Sequence, residues 1–208
     1  MKNHEFLNHL IELHWLGRLD VKYLEIGVRD HYTFRRVNST CRYGVDPNHV
    51  TTFYKTSDEF FKLNKQERGL KFELVLIDGL HQREQVVRDV LNSLECLNFG
   101  GIIVLDDCRP REEYQQLRAE HPPDGRPWNG DVWKAVVDLR QDQTIDVCVV
   151  DEGWGFGVVL PRPNTDILSD VSKPLTWEGY RQYGPEWLRP VSLTELQGFL
   201  EGYSNGQN

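Results

Sequence analysis

Short apolar runs alternate with amphipathic stretches along the first 160 residues. Four of these runs, bounded by glycine or acidic residues, predict buried strands over 21–27, 43–46, 72–78 and 101–107. Apolar positions at helical spacing predict helices over 5–16, over 58–67 with Ser57 or Asp58 as N-cap, over 83–97 ended by Phe99-Gly100-Gly101, and over 131–140 capped by Asp131. This alternation of strands and helices predicts a parallel sheet with helical crossovers.

The pattern changes after the last predicted helix, from residue 144 onward. Residues 144–150 and 155–160 are β-like and joined by Asp151-Glu-Gly-Trp, which predicts a hairpin at the sheet edge. From Pro161 the chain is rich in proline and aromatic residues without a strand pattern, and Ser192-Leu-Thr-Glu195 predicts a capping box opening a helix over 193–201. We expect an α/β domain over 1–160 and a packed C-terminal extension over 161–208, with a frayed end at 204–208.

Length, charge and cysteine content limit the classes of protein to which the chain can belong. The chain has 208 residues, enough for a substantial core, and a net charge of −8 from 24 Lys+Arg and 32 Asp+Glu. That balance argues against a nucleic-acid surface, because phosphate binding depends on Lys and Arg. No apolar run approaches the roughly 20 residues of a membrane span, and the four cysteines are scattered. A cytoplasmic protein with reduced, mostly buried thiols is expected, and self-association into a homo-oligomer is left open.

Acidic residues lie at the end of each of the four predicted strands. They are Glu25, Asp46, Asp78 and the pair Asp106-Asp107. A single acid at such a place is usually a solvated loop residue or a helix cap. Because ligands bind outside the carboxyl ends of strands in open parallel sheets, so many acids along one edge indicate a binding site.

Two ligand classes fit this edge. Asp46 is suited to hold the ribose hydroxyls of a nucleoside, whereas neither G-x-G-x-x-G nor a P-loop is present. Asp78, Asp106 and Asp107 form a hard oxygen set for Mg²⁺ or Mn²⁺, which would offset their mutual repulsion. His81, three residues after Asp78, is a candidate general base, although an ordinary exposed histidine is the alternative interpretation.

Several segments together resemble one enzyme family. They are Tyr23-Leu-Glu-Ile-Gly-Val, Tyr43-Gly-Val-Asp-Pro47, Thr56-Ser-Asp-Glu-Phe-Phe61, Leu76-Ile-Asp-Gly-Leu-His81, Phe99-Gly-Gly-Ile-Ile-Val-Leu-Asp-Asp-Cys108 and Trp128-Asn-Gly-Asp-Val-Trp-Lys134. This combination is similar to the class I S-adenosylmethionine-dependent methyltransferases, in the small-molecule group called methyltransferase domain 24. The resemblance runs from about residue 20 to 160 and implies a Rossmann-like, mostly parallel seven-stranded sheet with helices on both faces and an antiparallel edge hairpin.

The resemblance also implies roles for individual residues. Glu25 and Gly27 would form the cofactor loop, Asp46 would bind the ribose, and Ser57 and Asp58 would lie near the adenine. Asp78 joins the cofactor contacts and, with Asp106 and Asp107, the metal set. The spacing is similar to that of metal-dependent sugar O-methyltransferases, in which a histidine like His81 takes the proton from the acceptor hydroxyl. The expected cofactors are S-adenosylmethionine and Mg²⁺ or Mn²⁺, and the expected partner is a small-molecule acceptor.

Two departures from the family pattern leave alternatives to the methyltransferase function open. The family loop usually has a second glycine about four residues after the first, where this chain has His31. Many relatives also have histidine where this chain has Asp106. A catalytically silent, methyltransferase-like binding module is therefore the alternative to an O-methyltransferase. A metal-dependent hydrolase would use the carboxylates but leave Glu25, Gly27 and Asp46 without a role.

Overall fold

A seven-stranded sheet forms the centre of the computed structural model, which describes residues 1–118, 125–169 and 172–203. The strands are β1 (Lys22–Ile26), β2 (Cys41–Val45), β3 (Phe72–Ile77), β4 (Leu97–Leu105), β5 (Asp146–Val150), β6 (Phe156–Leu160) and β7 (Pro190–Val191). Their order is β2-β1-β3-β4-β6-β5-β7, with β6 antiparallel to both β4 and β5 and the other pairs parallel. The predicted Rossmann-like sheet is confirmed.

Six α-helices cover the two faces of the sheet. They are α1 (Asn3–Trp15), α2 (Ser57–Leu63), α3 (Arg83–Glu95), α4 (Val132–Leu139), α5 (Trp177–Leu188) and α6 (Leu193–Leu200). One buried cluster joins α2, α3, α4 and α5 to one face, and a second joins α1 and α6 to the other. Since each strand alternates its side chains between faces, the central strands are buried on both sides.

The start of α2 and the end of α3 differ from the predicted positions. The N-cap of α2 is Thr56, not Ser57 or Asp58, and Thr56 forms a reciprocal capping box with Glu59. Helix α3 ends at Glu95, and the predicted stop at Phe99-Gly100-Gly101 lies inside β4. Asp131 is the N-cap of α4, as predicted, but its side chain makes no cap bond to that helix. The capping box at Ser192 is confirmed.

The C-terminal extension contributes to the sheet and to both layers. The β5–β6 hairpin lies one strand in from the edge, because the two-residue strand β7 pairs with β5 beyond it. The sequence showed no strand pattern there, and α5 was not predicted. Two residues carry too little alternation to be read as a strand. The predicted division after residue 160 stays a prediction, and the predicted frayed end at 204–208 lies outside the described residues.

The cysteines agree with the expectation of reduced, mostly buried thiols. All four cysteines are free; Cys96, Cys108 and Cys148 are buried, and Cys41 is partly buried. Among the described residues no helix has the length and apolar character needed to cross a bilayer.

Candidate functional site

Gly27 brings the loop after β1 against the end of β3. Its φ is +90°, and a Cβ at this position would lie 2.1 Å from the backbone oxygen of Asp78. Only glycine tolerates both the left-handed backbone and this close approach. The predicted cofactor loop therefore meets the carboxyl end of β3 directly.

His31 occupies the place where the family pattern has a second glycine. Its φ is +65°, so the backbone keeps the left-handed conformation that glycine would adopt there. The imidazole packs edge-on against Phe34, with ring centroids 5.9 Å apart. The loop thus accommodates the larger residue at the modest energetic cost of a left-handed backbone.

Asp46, at the end of β2, is held by the backbone around it. Its Oδ1 accepts the amides of Asn48 and His49 at 2.8 and 2.9 Å, and its Oδ2 accepts the amide of Arg29 at 2.8 Å. Burial opposes ionisation, but these hydrogen bonds outweigh it and lower the pKa of the Asp46 carboxyl. Since a carboxylate oxygen accepts two hydrogen bonds, Oδ2 retains acceptor capacity.

Glu25 is buried in β1. The Tyr23 hydroxyl donates to its Oε2 at 2.5 Å, and none of the described residues forms an ion pair with it. Burial raises the pKa of Glu25 to about 8, and the charge of Asp78 adds to the shift. A buried acid without a cationic neighbour is suited to meet a cationic ligand.

Ser57 and Asp58 lie at the start of α2, against α3. Gln85 donates to the Ser57 hydroxyl at 3.1 Å and to the Asp58 carboxylate at 3.2 Å. Buried Asp89 accepts from the same amide at 3.0 Å, and burial raises the pKa of Asp89 to about 6. Both predicted adenine-side residues are thus held by one α3 side chain.

His81 lies between two carboxylates at the ends of β3 and β4. Its Nε2 is 3.2 Å from Asp78 Oδ1, and its Nδ1 is 3.2 Å from Asp107 Oδ2. Asp107 has a left-handed backbone, with φ +61°, a strained conformation of the kind found at functional sites. Ligand atoms of Asp78, His81 and Asp107 all lie within 4.8 Å of one another, a separation that suits a bound metal ion.

The pKa values of this cluster follow from burial and from mutual charge. Burial opposes protonation of His81, but the hydrogen bond to Asp78 and the charges of Asp107 and Asp78 outweigh it and raise the pKa of His81 to about 9. Burial also raises the pKa of Asp106 to about 7, and burial with the charge of Asp106 raises the pKa of Asp107 well above its usual range. A cation bound beside such carboxyl groups would offset the repulsion between their negative charges.

Asp106 is engaged by other groups. Its Oδ1 accepts the amide of Asp107 at 2.8 Å, and Asn3 at the start of α1 donates from Nδ2 to its Oδ2. The same Asn3 amide donates to Asp78 Oδ2 at 3.1 Å. The structure therefore brings Asp78, Asp107 and His81 together, with Asp106 beside them but bound to Asn3.

A short segment before α4 covers His81 and Asp107. The Trp128 ring stacks on the His81 ring, with centroids 5.0 Å apart and planes 10° apart, and the Trp128 indole donates to the Leu117 carbonyl at 2.6 Å. Buried Asn129 donates from Nδ2 to Asp107 Oδ1 at 2.6 Å. These contacts fix one face of the imidazole and one oxygen of the carboxylate.

Sequence reasoning missed the two asparagines. Asn3 gives no local signal, since its partners lie 75 and 103 residues away. Asn129 belongs to the segment 128–134 that carried part of the family resemblance, and its position between Trp128 and Gly130 was the available signal.

Comparison with known proteins gives a family match for part of the chain and a likeness of fold. Residues 22–108 match a family model described as a methyltransferase domain. The fold is similar to an O-methyltransferase from Bacillus cereus in complex with SAH, at 14% identity over 76% of this chain and 80% of that one, with a TM-score of 0.55. It is also similar to the O-methyltransferase TomG from Streptomyces achromogenes, involved in tomaymycin synthesis and solved with SAM, at 14% identity over 76% and 79% with a TM-score of 0.52. No curated protein shows a significant match.

Proposed function

We propose that the chain, whose residues 22–108 match the methyltransferase domain family model, is a class I S-adenosylmethionine-dependent methyltransferase that methylates a hydroxyl group of a small molecule. One observation carries the proposal. His81, whose imidazole can accept a proton, lies between Asp78 and Asp107. Gly27 and Asp46, which follow β1 and β2, lie at the same edge of the sheet. Acid–base groups and a nucleoside-binding acid thus share one edge.

S-adenosylmethionine, when bound, supplies an electrophilic methyl group on a sulfonium. Asp46 Oδ2 would accept hydrogen bonds from its ribose hydroxyls, because the backbone amides keep this carboxylate ionised and oriented. Burial raises the pKa of Glu25 to about 8, and the cationic end of the cofactor, when bound, would favour the ionised form of this carboxyl. Ser57 and Asp58 would lie on the adenine side, held by Gln85.

Mg²⁺ or Mn²⁺, when bound, would lower the pKa of the acceptor hydroxyl. The two carboxylates fit a hard divalent cation, since their oxygens converge beside His81 at a partly buried place and leave the imidazole for proton transfer. Asp78 and Asp107 would hold it, and Asp106 would support the site through the Asp107 amide. These carboxylates keep His81 protonated while their charge is uncompensated, so a base role for His81 requires that charge to be offset.

In the proposed reaction His81 accepts the hydroxyl proton while the acceptor oxygen attacks the methyl group. The Trp128 ring stacks on the imidazole and fixes the plane in which its two nitrogens lie. Most of the acceleration should come from positioning, because a thioether leaves without protonation. A sugar or polyol-like acceptor suits the pairing of a cation site with a neighbouring base.

The experiment measures binding and turnover on the same preparations. Titration calorimetry with S-adenosylmethionine, and methyl transfer to a panel of diols and sugars with and without EDTA, would be run on the wild type, His81→Ala and His9→Ala. We expect His81→Ala to bind the cofactor normally and lose turnover at least 100-fold, with His9→Ala unchanged.

Three results would each contradict a different part of the proposal. Absence of cofactor binding, with and without Mg²⁺, would contradict the methyltransferase function and favour the silent binding module. Full activity in EDTA would contradict the metal role. Loss of cofactor binding in His81→Ala would make His81 a structural residue.

A further inference from the structure

One polar atom of the buried Asn129 side chain, its amide oxygen, lacks a hydrogen-bond partner among the described residues. Asn129 is 1% exposed, and its Nδ2 donates to Asp107 Oδ1 at 2.6 Å. Its Oδ1 is buried and has no hydrogen-bond partner among the described residues. A buried amide oxygen without a hydrogen-bond donor destabilises the folded state by the free energy of removing it from water, so its retention beside the acidic cluster needs a reason.

We propose that the Asn129 amide oxygen is a ligand of a divalent cation that Asp78 and Asp107 also hold. The inference rests on the proposed function for the presence of a cation and goes beyond it by assigning a residue outside the strand ends. A neutral amide oxygen beside two carboxylates is a ligand combination typical of hard divalent cations.

The position of Asn129 is fixed by the backbone around it. The amides of Asn129 and Gly130 both donate to the Gln115 carbonyl at 2.9 Å, and the Asp131 amide donates to the His81 carbonyl at 3.1 Å. Gly130 has φ +61°, and a Cβ there would lie 1.9 Å from the His81 carbonyl oxygen. This tight docking presents the amide group of Asn129 to Asp107 without freedom to turn toward solvent.

Asp106 is less suited than Asn129 to complete the ligand set. Asp106 does not belong to the group Asp78, His81 and Asp107, whose ligand atoms all lie within 4.8 Å of one another, and its oxygens accept from Asn3 and from the Asp107 amide. The Asn129 oxygen, by contrast, is without a donor in the part of the chain that the structure covers. Asp78, Asp107 and Asn129 therefore offer the inner oxygens, with Asp106 outside them.

A competing explanation is that Asn129 acts only as a hydrogen-bond donor that orients Asp107. The variants Asn129→Ala and Asn129→Asp separate the two roles. The Asn129→Asp variant would keep an oxygen at this position but lose the N–H donor, and its new carboxylate would repel Asp107 unless a cation lies between them. A ligand role predicts that Asn129→Asp keeps Mn²⁺ affinity, whereas a donor role predicts that it loses affinity.

The test measures Mn²⁺ binding to the full chain by calorimetry and by the electron paramagnetic resonance signal of free Mn²⁺. We expect Asn129→Ala to weaken Mn²⁺ binding at least tenfold and Asn129→Asp to bind within threefold of the wild type or more tightly. Asn64→Ala is the matched control, because Asn64 is also buried but both ends of its amide are bonded, to the Leu70 carbonyl and amide.

Three results would overturn the inference: unchanged affinity in Asn129→Ala, equal weakening in both variants, or no Mn²⁺ binding by the wild type. Circular dichroism monitors folding, and if Asn129→Ala does not fold, the near-isosteric Asn129→Asp decides the question against the wild type. Cofactor binding and methyl transfer are measured separately. A chain that binds Mn²⁺ as expected but transfers no methyl group would refute the proposed function while the ligand assignment stands.

Discussion

The carboxylate of Asp131, at the start of α4, accepts the first backbone amide of α3, from Arg83, at 2.8 Å. Arg118 donates to its other oxygen at 2.7 Å and also binds Glu84 on α3. Asp131 is therefore a cap for a different helix from the one that it begins. This contact ties the segment that carries Trp128 and Asn129 to the helix that follows His81.

Replacing Asp131 by alanine should destabilise the fold by about 1–3 kcal/mol, because the first amide of α3 loses its acceptor and Arg118 loses one of its two carboxylate partners. Chemical denaturation followed by circular dichroism measures the change. Asp20→Asn is the control, since Asp20 is exposed and pairs only locally with Arg18; we expect it to leave stability unchanged. Equal stability of Asp131→Ala and wild type would show that the shared cap is unimportant.

Gly27→Ala should abolish cofactor binding and lower stability more than Gly69→Ala does. Both glycines have positive φ, +90° and +60°, so alanine costs about 1 kcal/mol of backbone strain at either place. At Gly27 the new methyl group also collides with the Asp78 carbonyl, whereas at Gly69 no heavy atom lies within 4 Å. Unfolding curves and calorimetry with S-adenosylmethionine test the pair, and equal effects would contradict the steric explanation.

Trp128→Ala should reduce methyl transfer about tenfold and leave the Kd for S-adenosylmethionine unchanged, because loss of the stack lets the His81 ring rotate away from its productive orientation. Trp177→Ala removes a comparable stack, on Tyr180 at 5.3 Å, and serves as the control for simple loss of aromatic packing. A parallel loss of cofactor affinity in Trp128→Ala would instead indicate a role in shaping the cofactor site.

Asp146 should give the protein an acid-sensitive part of its stability. Burial opposes ionisation of this carboxyl, but hydrogen bonds from Arg162 and Thr165 and the charge of Arg189 outweigh it and lower the pKa of Asp146. Because the pKa is lower in the folded state, this stabilisation is complete above the unfolded pKa of 3.8 and is lost as the pH falls through the folded value.

The variant Asp146→Asn makes this contribution measurable. At pH 7 it should be less stable than the wild type by about 3 kcal/mol, since two arginines lose their buried partner. The difference should shrink below pH 4, as measured by denaturation across pH. Asp142→Asn, which changes a turn carboxylate bonded to Thr144, should show a smaller difference. A constant difference across pH would contradict the argument.

Local patterns in the sequence determined the sheet and its acidic edge. Short apolar runs predicted the first four strands, and their alternation with helices predicted that they are parallel, whereas β5 and β6 were predicted as a hairpin. Once these strands are parallel, the acids at their carboxyl ends share one edge of the sheet, so the placement of Asp46, Asp78 and Asp107 along that edge was predictable. Gly27 was predictable for a similar reason, since it ends a strand in a familiar motif.

Tertiary structure alone decided which groups meet those acids. Asn3 reaches Asp78 and Asp106 from the other end of the chain, and Asn129 reaches Asp107 across a long connection, so neither contact leaves a local period. Helix α5 and the two-residue β7 likewise depend on packing against β5 and α4. Local propensity specifies elements within a few turns of chain, whereas these contacts exist only after the sheet has brought distant segments together.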